Sequence, residues 1–394
     1  MTSGQPVLRV TEGARDFTSE EWARLDGTSR SGADKPYSPF VSHAFLSSLE
    51  DSGSVGEATG WIPRFLRLED GDGKLVAATP SYIKLHSQGE YVFDHGWADA
   101  FERAGGRYYP KLQVSVPFTP ATGPRLLSAS GRAAPSAKAA LAEGLKALAE
   151  RLSLSSTHAT FLTNEEAQLL QAHDYLLRLD QQFHFFCRDF RDYADFLESL
   201  ASRKRKALKK ERRQALENGI SIEWITDSEL TEAVWDNFFA FYMDTGSRKW
   251  GRPYLNRRFF SLIGERMAED ILLVMAKRNG RYIAGALNFI GADALYGRNW
   301  GCIEDHPFLH FEVCYHQAMD FALSNGLKRV EAGAQGQHKL ARGYEPVTTY
   351  SAHHIAHPGL RRAVADYLEH ERQEVEEITD VLRAHTPFRR GERE

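Results

Sequence analysis

The densest set of residues that could do chemistry lies late in the chain, between positions 333 and 343. This stretch holds three glycines, amide side chains, a histidine, a lysine and an arginine, and it follows a short apolar run that predicts a buried strand. Glycines let backbone N–H groups approach a ligand closely. Lys339 and Arg342 could bind phosphate or stabilise an oxyanion, and His338 could move a proton near neutral pH. The alternative is a structural turn with solvated charges.

Two carboxylates precede this stretch and could accept a proton from an attacking amine. Glu312 lies in the first turn of a helix predicted over 310–325, where the helix dipole stabilises a carboxylate even without a catalytic role. Glu331 lies in the predicted strand. We take Lys339, Glu312 and His338 as the candidate catalytic residues. The sequence contains no His-Glu-x-x-His and no Gly-x-Ser-x-Gly pattern, so we predict no metal site and no serine or cysteine nucleophile.

A second cluster of charge could bind a polyanion. Residues 203–213 include eight lysines and arginines and one glutamate, in a chain whose formal net charge is −4. Such a face could contact the phosphates of tRNA or of a nucleotide-linked or lipid-linked substrate. A solvated helix face is the alternative. The basic residues that share one face at helical spacing are Lys206, Lys209, Lys210 and Arg213.

Composition and cysteine usage place limits on the class of protein. The chain has 394 residues, of which 42% are hydrophobic and 11% aromatic, so it is not disordered throughout. Three scattered cysteines without a Cys-x-x-Cys pattern exclude a disulfide framework and favour a reducing compartment. No leader pattern and no run of about 18 apolar residues occurs. We therefore expect a cytoplasmic protein without a membrane span, and the oligomeric state stays open.

Mixed runs of strand and helix signals predict an α/β or α+β fold, and two of the hairpins look alike. In each, a turn glycine is followed by a basic residue, two bulky apolar residues and two small ones. The glycines are Gly73 and Gly280, so the pattern recurs after 280 − 73 = 207 positions. Internal duplication explains this spacing. The alternative is that hairpins commonly have such a pattern.

The strand predicted after each hairpin, over 90–95 in the first half and over 294–300 in the second, ends in an aromatic and polar cluster. These ends contribute His95 and Trp97 in the first half and Asn299 in the second. We predict an N-terminal domain over 1–187 and a C-terminal domain over 188–394, which contains the basic helix 203–218 and a long helix 359–383. The three residues are then expected to line a cleft between two lobes. The alternative is a loop packed by its tryptophan.

Several longer stretches carry a family resemblance, at 45–50, 60–63, 108–113, 116–120, 309–315 and 331–346. They include Val116-Pro117-Phe118-Thr119-Pro120 and Gln337-His338-Lys339-Leu340-Ala341-Arg342-Gly343. With them the chain resembles the FemAB-like family of bacterial proteins, which is related to the Fem-type peptidyltransferases and belongs to the acyl-CoA N-acyltransferase superfamily. Lys339 and Gly343 match the Fem-type segment Phe-Lys-x-x-aromatic-Gly. His338 and Arg342 stand where that segment has aromatic residues.

The resemblance implies two tandem GNAT-like acyltransferase domains, each a mixed, mostly antiparallel sheet flanked by helices. It implies an N-acyltransferase that moves an activated acyl or aminoacyl group to a small-molecule or peptide amine. No tightly bound cofactor is expected, and acyl-CoA and aminoacyl-tRNA both stay open as co-substrates. The residues that we assign to substrate binding are His95, Trp97, Asn299, Gln335, Gly336, Arg342, Gly343 and Tyr344.

Two other functions stay open at this point. One is an aminoacyl-tRNA-dependent Fem-type peptidyltransferase that acts on a cell-wall precursor or peptide, with tRNA on the basic helix. The other is a non-catalytic GNAT-like protein that binds a ligand. If the protein is an enzyme, we expect Lys339 to be a loop lysine whose replacement lowers turnover and leaves stability nearly unchanged.

Overall fold

The computed structural model describes residues 5–26, 37–249, 253–333 and 336–388. The chain divides into two compact units. The first unit contains Met1–Asp180 and Thr348–Glu377, and the second contains Gln181–Val347 and Ile378–Glu394.

Fifteen strands occur in the described residues, numbered in chain order. They are β1 (Val7–Thr11), β2 (Trp61–Pro63), β3 (Phe65–Glu69), β4 (Leu75–Thr79), β5 (Tyr82–Lys84), β6 (Lys111–Val114), β7 (Leu127–Ser128), β8 (Ser156–Leu162), β9 (Leu176–Phe186), β10 (Ile220–Thr226), β11 (Ile271–Arg278), β12 (Arg281–Ile290), β13 (Ala294–Cys302), β14 (Arg329–Glu331) and β15 (Glu345–Ile355).

The α-helices are numbered in the same way. They are α1 (Ser19–Asp26), α2 (His43–Asp51), α3 (His95–Arg103), α4 (Ala134–Arg151), α5 (Asn164–Ala172), α6 (Tyr193–Ser199), α7 (Ser202–Ala215), α8 (Glu232–Lys249), α9 (Arg257–Arg266), α10 (Leu309–Phe311), α11 (Gln317–Ser324) and α12 (Pro358–Ala384). A π-helical segment, Glu312–His316, joins α10 to α11.

The first unit contains a small antiparallel sheet and a second group of strands. The small sheet has the order β1-β3-β4-β7, and the second group runs β15-β8-β6-β5-β2 with β6 and β8 parallel. Helix α4 packs against β3 and β4 through Leu141, Leu145 and Leu148, which recur at helical spacing and are buried. Gly144 permits this contact, because a Cβ there would lie 2.2 Å from the Cδ2 of Leu8.

The second unit is built on one sheet with the order β10-β11-β12-β13-β14-β9. Strands β10 to β13 form an antiparallel meander, and β13 and β14 are parallel. Helix α8 packs on β12 and β13, and α11 packs on β13 and β14. Gly301 of β13 is required for the first contact, since a Cβ there would lie 2.1 Å from the carbonyl oxygen of Phe241 in α8.

The predicted α/β (α+β) class, with mostly antiparallel sheets flanked by helices, is confirmed. Both predicted hairpins are present, as β3–β4 and β11–β12. The long helix predicted over 310–325 is interrupted by the π-helical segment. Helix α9 was not predicted, although Asn256 caps it by accepting a hydrogen bond from the backbone N–H of Phe259.

The strand predicted over 90–95 is wrong. Residues 90–94 form no strand, and His95 begins helix α3. The reason is a long-range ion pair: the carboxylates of Glu90 and Asp94 both turn inward to the ammonium of Lys111, at 2.7 and 2.5 Å. Asn299, the supposed counterpart in the second half, lies inside strand β13. The two segments are therefore not equivalent in structure, and duplication of the halves stays a prediction.

The compact units differ from the predicted domains in two segments. Residues 181–187 belong with the second unit, which begins at Gln181. Residues 348–377 belong with the first unit because β15 pairs with β8, from Tyr350 opposite Leu162 to Ile355 opposite Ser156. The predicted C-terminal domain over 188–394 is therefore divided. The predicted cleft between the lobes stays a prediction.

A network of buried charge lies inside the first unit. Lys111 is fully buried, and its ammonium also donates to the hydroxyl of Ser87 at 2.8 Å. Burial alone would lower the pKa of Lys111, but Glu90 and Asp94 raise it above its usual value. The hydroxyl of Tyr108 donates to the same oxygen of Asp94 at 2.7 Å. The ammonium thus neutralises two carboxylates that have no access to water.

Replacing Lys111 with methionine is expected to destabilise the protein by about 3–5 kcal/mol, because it leaves Asp94 buried without a lysine partner and leaves Glu90 only the longer contact to the ammonium of Lys84, at 3.8 Å. Urea unfolding at pH 7 measures the change. The control is Lys74→Met, at an exposed lysine in the β3–β4 turn, where the change is expected to stay within about 0.5 kcal/mol. A loss of less than about 1 kcal/mol for Lys111→Met would contradict this account of the network.

Candidate functional site

The glycine-rich stretch follows β14 in the second unit, and part of it is helical. Gln337–Arg342 form a 3-10 helix between Gly336 and Gly343, whose φ angles are 120° and 87°. Gly343 is needed for a further reason, because a Cβ there would lie 2.5 Å from the ring of Phe196. Both glycines therefore serve the turn itself. Gln335 lies outside the described residues.

Lys339 is buried at the centre of this turn, with only 1% of its surface exposed. Its ammonium donates hydrogen bonds to the carbonyl oxygens of Ala332 at 2.7 Å and Gly333 at 3.0 Å. Burial lowers the pKa of Lys339 to about 8. The alternative of a turn with solvated charges does not hold for Lys339, because its side chain folds back over the end of β14. An ammonium carries three protons, and no described residue accepts the third.

His338 stands beside Lys339 and is solvent-exposed. Its Nε2 is hydrogen-bonded to the hydroxyl of Tyr315 at 2.9 Å. Burial of part of the ring and the cations of Arg342 and Lys339 lower the pKa of His338. The imidazole is therefore mostly neutral at pH 7 and able to take up a proton.

Arg342 ties the turn to helix α7. Its guanidinium forms a bidentate pair with Glu211, at 2.9 and 2.7 Å, and donates to the carbonyl oxygen of His338 at 2.8 Å. The same group lies 3.4 Å from the ring centroid of Phe311. Glu211 in turn accepts from the Nε2 of His316 at 2.8 Å. Arg342 therefore positions the turn, and its assignment to substrate binding stays a prediction.

Glu312 is fully buried in the π-helical segment and is also held by α7. Arg212 donates to both of its carboxylate oxygens, at 3.0 and 2.8 Å, and Gln317 donates to one of them at 2.7 Å. Arg212 also pairs with Asp320 at 2.7 Å. Because both carboxylate oxygens already accept hydrogen bonds, Glu312 anchors the π-helical segment to α7. Its assignment as the general base stays a prediction that the hydrogen bonds do not favour.

Helix α7 thus has two different faces. Glu211 and Arg212 turn inward to the site, and sequence reasoning missed this role although Glu211 is the one acidic residue in the basic run. The basic residues predicted to contact a polyanion turn outward. They are Lys206, Lys209, Lys210 and Arg213, all of them exposed and, within the described part of the chain, without an ion-pair partner.

The remaining predicted residues fall in three places. Tyr344 is fully buried and packs on Tyr315, with ring centroids 5.6 Å apart. Asn299 is half-buried in β13. His95 and Trp97 lie in the first unit, where His95 is exposed at the start of α3 and Trp97 is buried beneath the guanidinium of Arg178 at 5.1 Å. The second unit therefore brings together His338, Lys339, Arg342, Tyr344 and both turn glycines, with Glu312 attached through α7.

Among the described residues, no group of three or more His, Cys, Asp and Glu side chains could hold a metal ion. Over the same residues, no helix is long and apolar enough to cross a membrane.

Comparison with solved structures shows the fold. The crystal structure of FemX superposes with a TM-score of 0.54 at 12% identity, over 91% of this chain and 100% of FemX. A conserved protein of unknown function from Bacteroides thetaiotaomicron VPI-5482 gives 0.50 at 11% identity, over 88% and 100% of the two chains. A tandem GNAT protein from the clavulanic acid biosynthesis pathway gives 0.46 at 13% identity, over 90% and 99%. No curated protein matches the sequence.

The family comparison covers nearly the whole chain. The FemAB-like model, described as peptidoglycan biosynthesis/recognition, matches residues 14–390. This range includes both compact units and the turn that holds Lys339. The predicted resemblance is thereby confirmed, and it supports acyl or aminoacyl transfer as the class of reaction. The chain belongs to the FemAB-like family.

Proposed function

We propose that this protein transfers an activated acyl or aminoacyl group to an amine at the turn 336–343 of the second unit. Its membership of the FemAB-like family supports the reaction class. The observation that carries the location is Lys339: its buried ammonium has two of its protons on backbone carbonyls, and no described residue accepts the third. In a site of low dielectric, such a donor stabilises negative charge that develops in a transition state.

The residues of the turn divide the chemistry between them. The neutral amine attacks the acyl carbonyl carbon, a C–N bond forms, and negative charge develops on the carbonyl oxygen. Lys339 donates its third N–H to that oxygen, and His338 takes the proton that the amine loses. The carbonyl then re-forms as the bond to the leaving group breaks. No covalent enzyme intermediate is needed, because positioning and charge stabilisation lower the barrier.

The proposal has two forms, which differ in the acyl donor and in the amine acceptor. In the first, an acyl-CoA or other activated acyl donor reacts with a small-molecule or peptide amine. In the second, the donor is aminoacyl-tRNA and the acceptor is a peptidoglycan precursor or peptide, and the exposed basic face of α7 favours this form. A cytoplasmic location accompanies both. The third candidate, a non-catalytic ligand-binding protein, predicts no turnover with any donor.

Replacing Lys339 with methionine is expected to lower turnover by roughly 10²–10³-fold, the loss typical of one oxyanion donor. Amide formation with a panel of acyl-CoA and aminoacyl-tRNA donors measures it. Because Lys339 is buried and hydrogen-bonded, we also expect a loss of about 1–3 kcal/mol in stability, so the assay is run well below the unfolding temperature.

The matched control is Lys328→Met, which removes an exposed lysine from the same unit. It should leave turnover unchanged. Lys339→Arg should rescue only in part, because a planar guanidinium does not replace a compact ammonium. Turnover equal to wild type in a folded Lys339→Met protein would place the site elsewhere.

The pH profile of kcat/KM tests the two protonation states. The ammonium of Lys339 is present below its pKa of about 8, so the rate should fall as the pH rises through that value. Neutral His338 is present above its lowered pKa, so the rate should rise with pH on the acidic side. His338→Gln should remove the acidic limb alone. A basic limb near the ordinary lysine pKa of about 10.4 would argue against Lys339.

The outward face of α7 is tested by binding of bulk tRNA in a filter assay. If the four exposed cations neutralise phosphates, wild-type affinity should fall about 100-fold between about 50 and 200 mM salt, because each contact releases counterions. Changing all four to glutamate should abolish the binding. The residues changed are Lys206, Lys209, Lys210 and Arg213.

A control variant carries the same change of charge in the first unit, at four other exposed basic residues. It should bind tRNA with an affinity much closer to that of wild type. Binding that ignores salt, or an equal loss in both variants, would make the face of α7 a solvated surface. The residues changed in the control are Lys74, Arg103, Arg132 and Arg151.

A further inference from the structure

A pocket of about 420 Å³ lies in the second unit between α8 and the segment that leads from β13 into α10. It borders the turn 336–343 through Phe311, whose ring centroid is 5.7 Å from that of His338. The glycine at 301 lets α8 approach β13 closely, and Thr245 of α8 contributes to the wall. The proposed acyl transfer does not involve this pocket.

Aromatic rings form much of the wall. Trp300 and Phe308 line the pocket with Phe311, and the Trp300 ring centroid lies 5.1 Å from that of His310. Phe308, which lines the pocket, has a φ of 64°, a strained value for a bulky residue, and the residue is 38% exposed. Such strain persists where surrounding structure enforces it, commonly at binding sites. Here it holds an aromatic face toward solvent.

The two carboxylates at the pocket differ in their pairing. Glu304 is already paired, with Arg278 at 2.7 Å, with His306 at 2.9 Å and with Arg281 at 3.4 Å. Asp305, the next residue, is exposed and has no hydrogen bond or ion pair to any residue that the structure describes. One carboxylate therefore stands free beside a set of aromatic faces.

We propose that this pocket binds an organic ammonium ion, whose body packs on Trp300 and Phe308 and whose cation pairs with Asp305. A carboxylate next to aromatic faces attracts a cation both by charge and by the ring quadrupoles. The face of Phe311 is less available, because the guanidinium of Arg342 already lies over that ring at 3.4 Å.

The inference about which molecule carries the ammonium ion rests on the proposed function. The attacking nitrogen has to be neutral, so the ion held by Asp305 is a different group. It is either a cationic side-chain group of an aminoacyl donor or a second cationic group on the acceptor. Both place a cation at Asp305 while the reacting atoms lie at the turn 336–343, which the pocket borders through Phe311.

Isothermal titration calorimetry at pH 7, without any donor, tests the pocket directly. The probes are 2-phenylethylammonium and its neutral analogue 2-phenylethanol. We expect the ammonium to bind wild type at least about tenfold more tightly, a preference that weakens with salt because Asp305 is exposed. Asp305→Asn should reduce the two affinities to the same value. Glu265→Gln, at an exposed carboxylate on α9 of the same unit, should behave as wild type.

Three results would overturn the proposal: equal affinities for the two probes in wild type, no ammonium binding at millimolar concentration, or an unchanged preference in Asp305→Asn. A Trp300→Leu variant gives a second readout, since it keeps the carboxylate and should weaken ammonium binding. Folding of each variant is checked by circular dichroism, and Asp305→Asn alters only an exposed side chain.

The same titration separates this inference from the proposed function. Lys339→Met should bind the ammonium as wild type does, whatever its turnover. If acyl transfer is found but the ammonium does not bind, the pocket proposal fails and the proposed function stands. If the ammonium binds and no donor gives turnover, the pocket proposal stands and the proposed function fails. In an active preparation, inhibition competitive with the donor assigns the cation to an aminoacyl group, and inhibition competitive with the amine assigns it to the acceptor.

Discussion

The candidate site depends on two ion pairs made by neighbouring residues of α7. Glu211 holds Arg342 and with it the turn that carries His338 and Lys339, and Arg212 holds Glu312 in the π-helical segment. Burial opposes the charge on Glu211, but His316 and Arg342 keep the pKa of that carboxyl below its ordinary value. The pair of Glu211 with Arg342 therefore remains charged at neutral pH. Because partly buried charges tolerate little displacement from their partners, they fix where the turn lies relative to the π-helical segment.

Two of the three buried lysines in the described part of the chain have surroundings that give them opposite properties. Lys111 faces two carboxylates, which raise its pKa, so it is a permanent cation in a closed network. Lys339 faces carbonyl oxygens, and burial lowers its pKa to about 8. A carbonyl is a dipole and stabilises an ammonium less than a carboxylate does. The first lysine is thus structural, and the second is poised near neutral pH, as groups at active sites often are.

Prediction from sequence succeeded where the signal was local. The hairpins β3–β4 and β11–β12 form at the predicted turn glycines, and the helices α7 and α12 lie within a few residues of their predicted bounds, because periodicity and turn glycines act over a few positions. Prediction failed over residues 90–95, where we expected a strand. There, an ion pair to Lys111 some twenty positions away determines the backbone path. The pairing of β15 with β8, which places residues 348–377 in the first unit, is likewise a contact between distant segments.

The sequence by itself determined the family, the mixed α/β class and the stretch 333–343 as the place where reactive side chains gather. Residue types and their spacing carry this information without any knowledge of contacts. Only the tertiary structure decided what each side chain does: that Lys339 is buried, that Glu312 and Arg342 are held by α7, and that Asp305 stands free beside Trp300 and Phe308. Burial and pairing set the protonation and availability of a charged group, and both depend on residues that are far away in the chain.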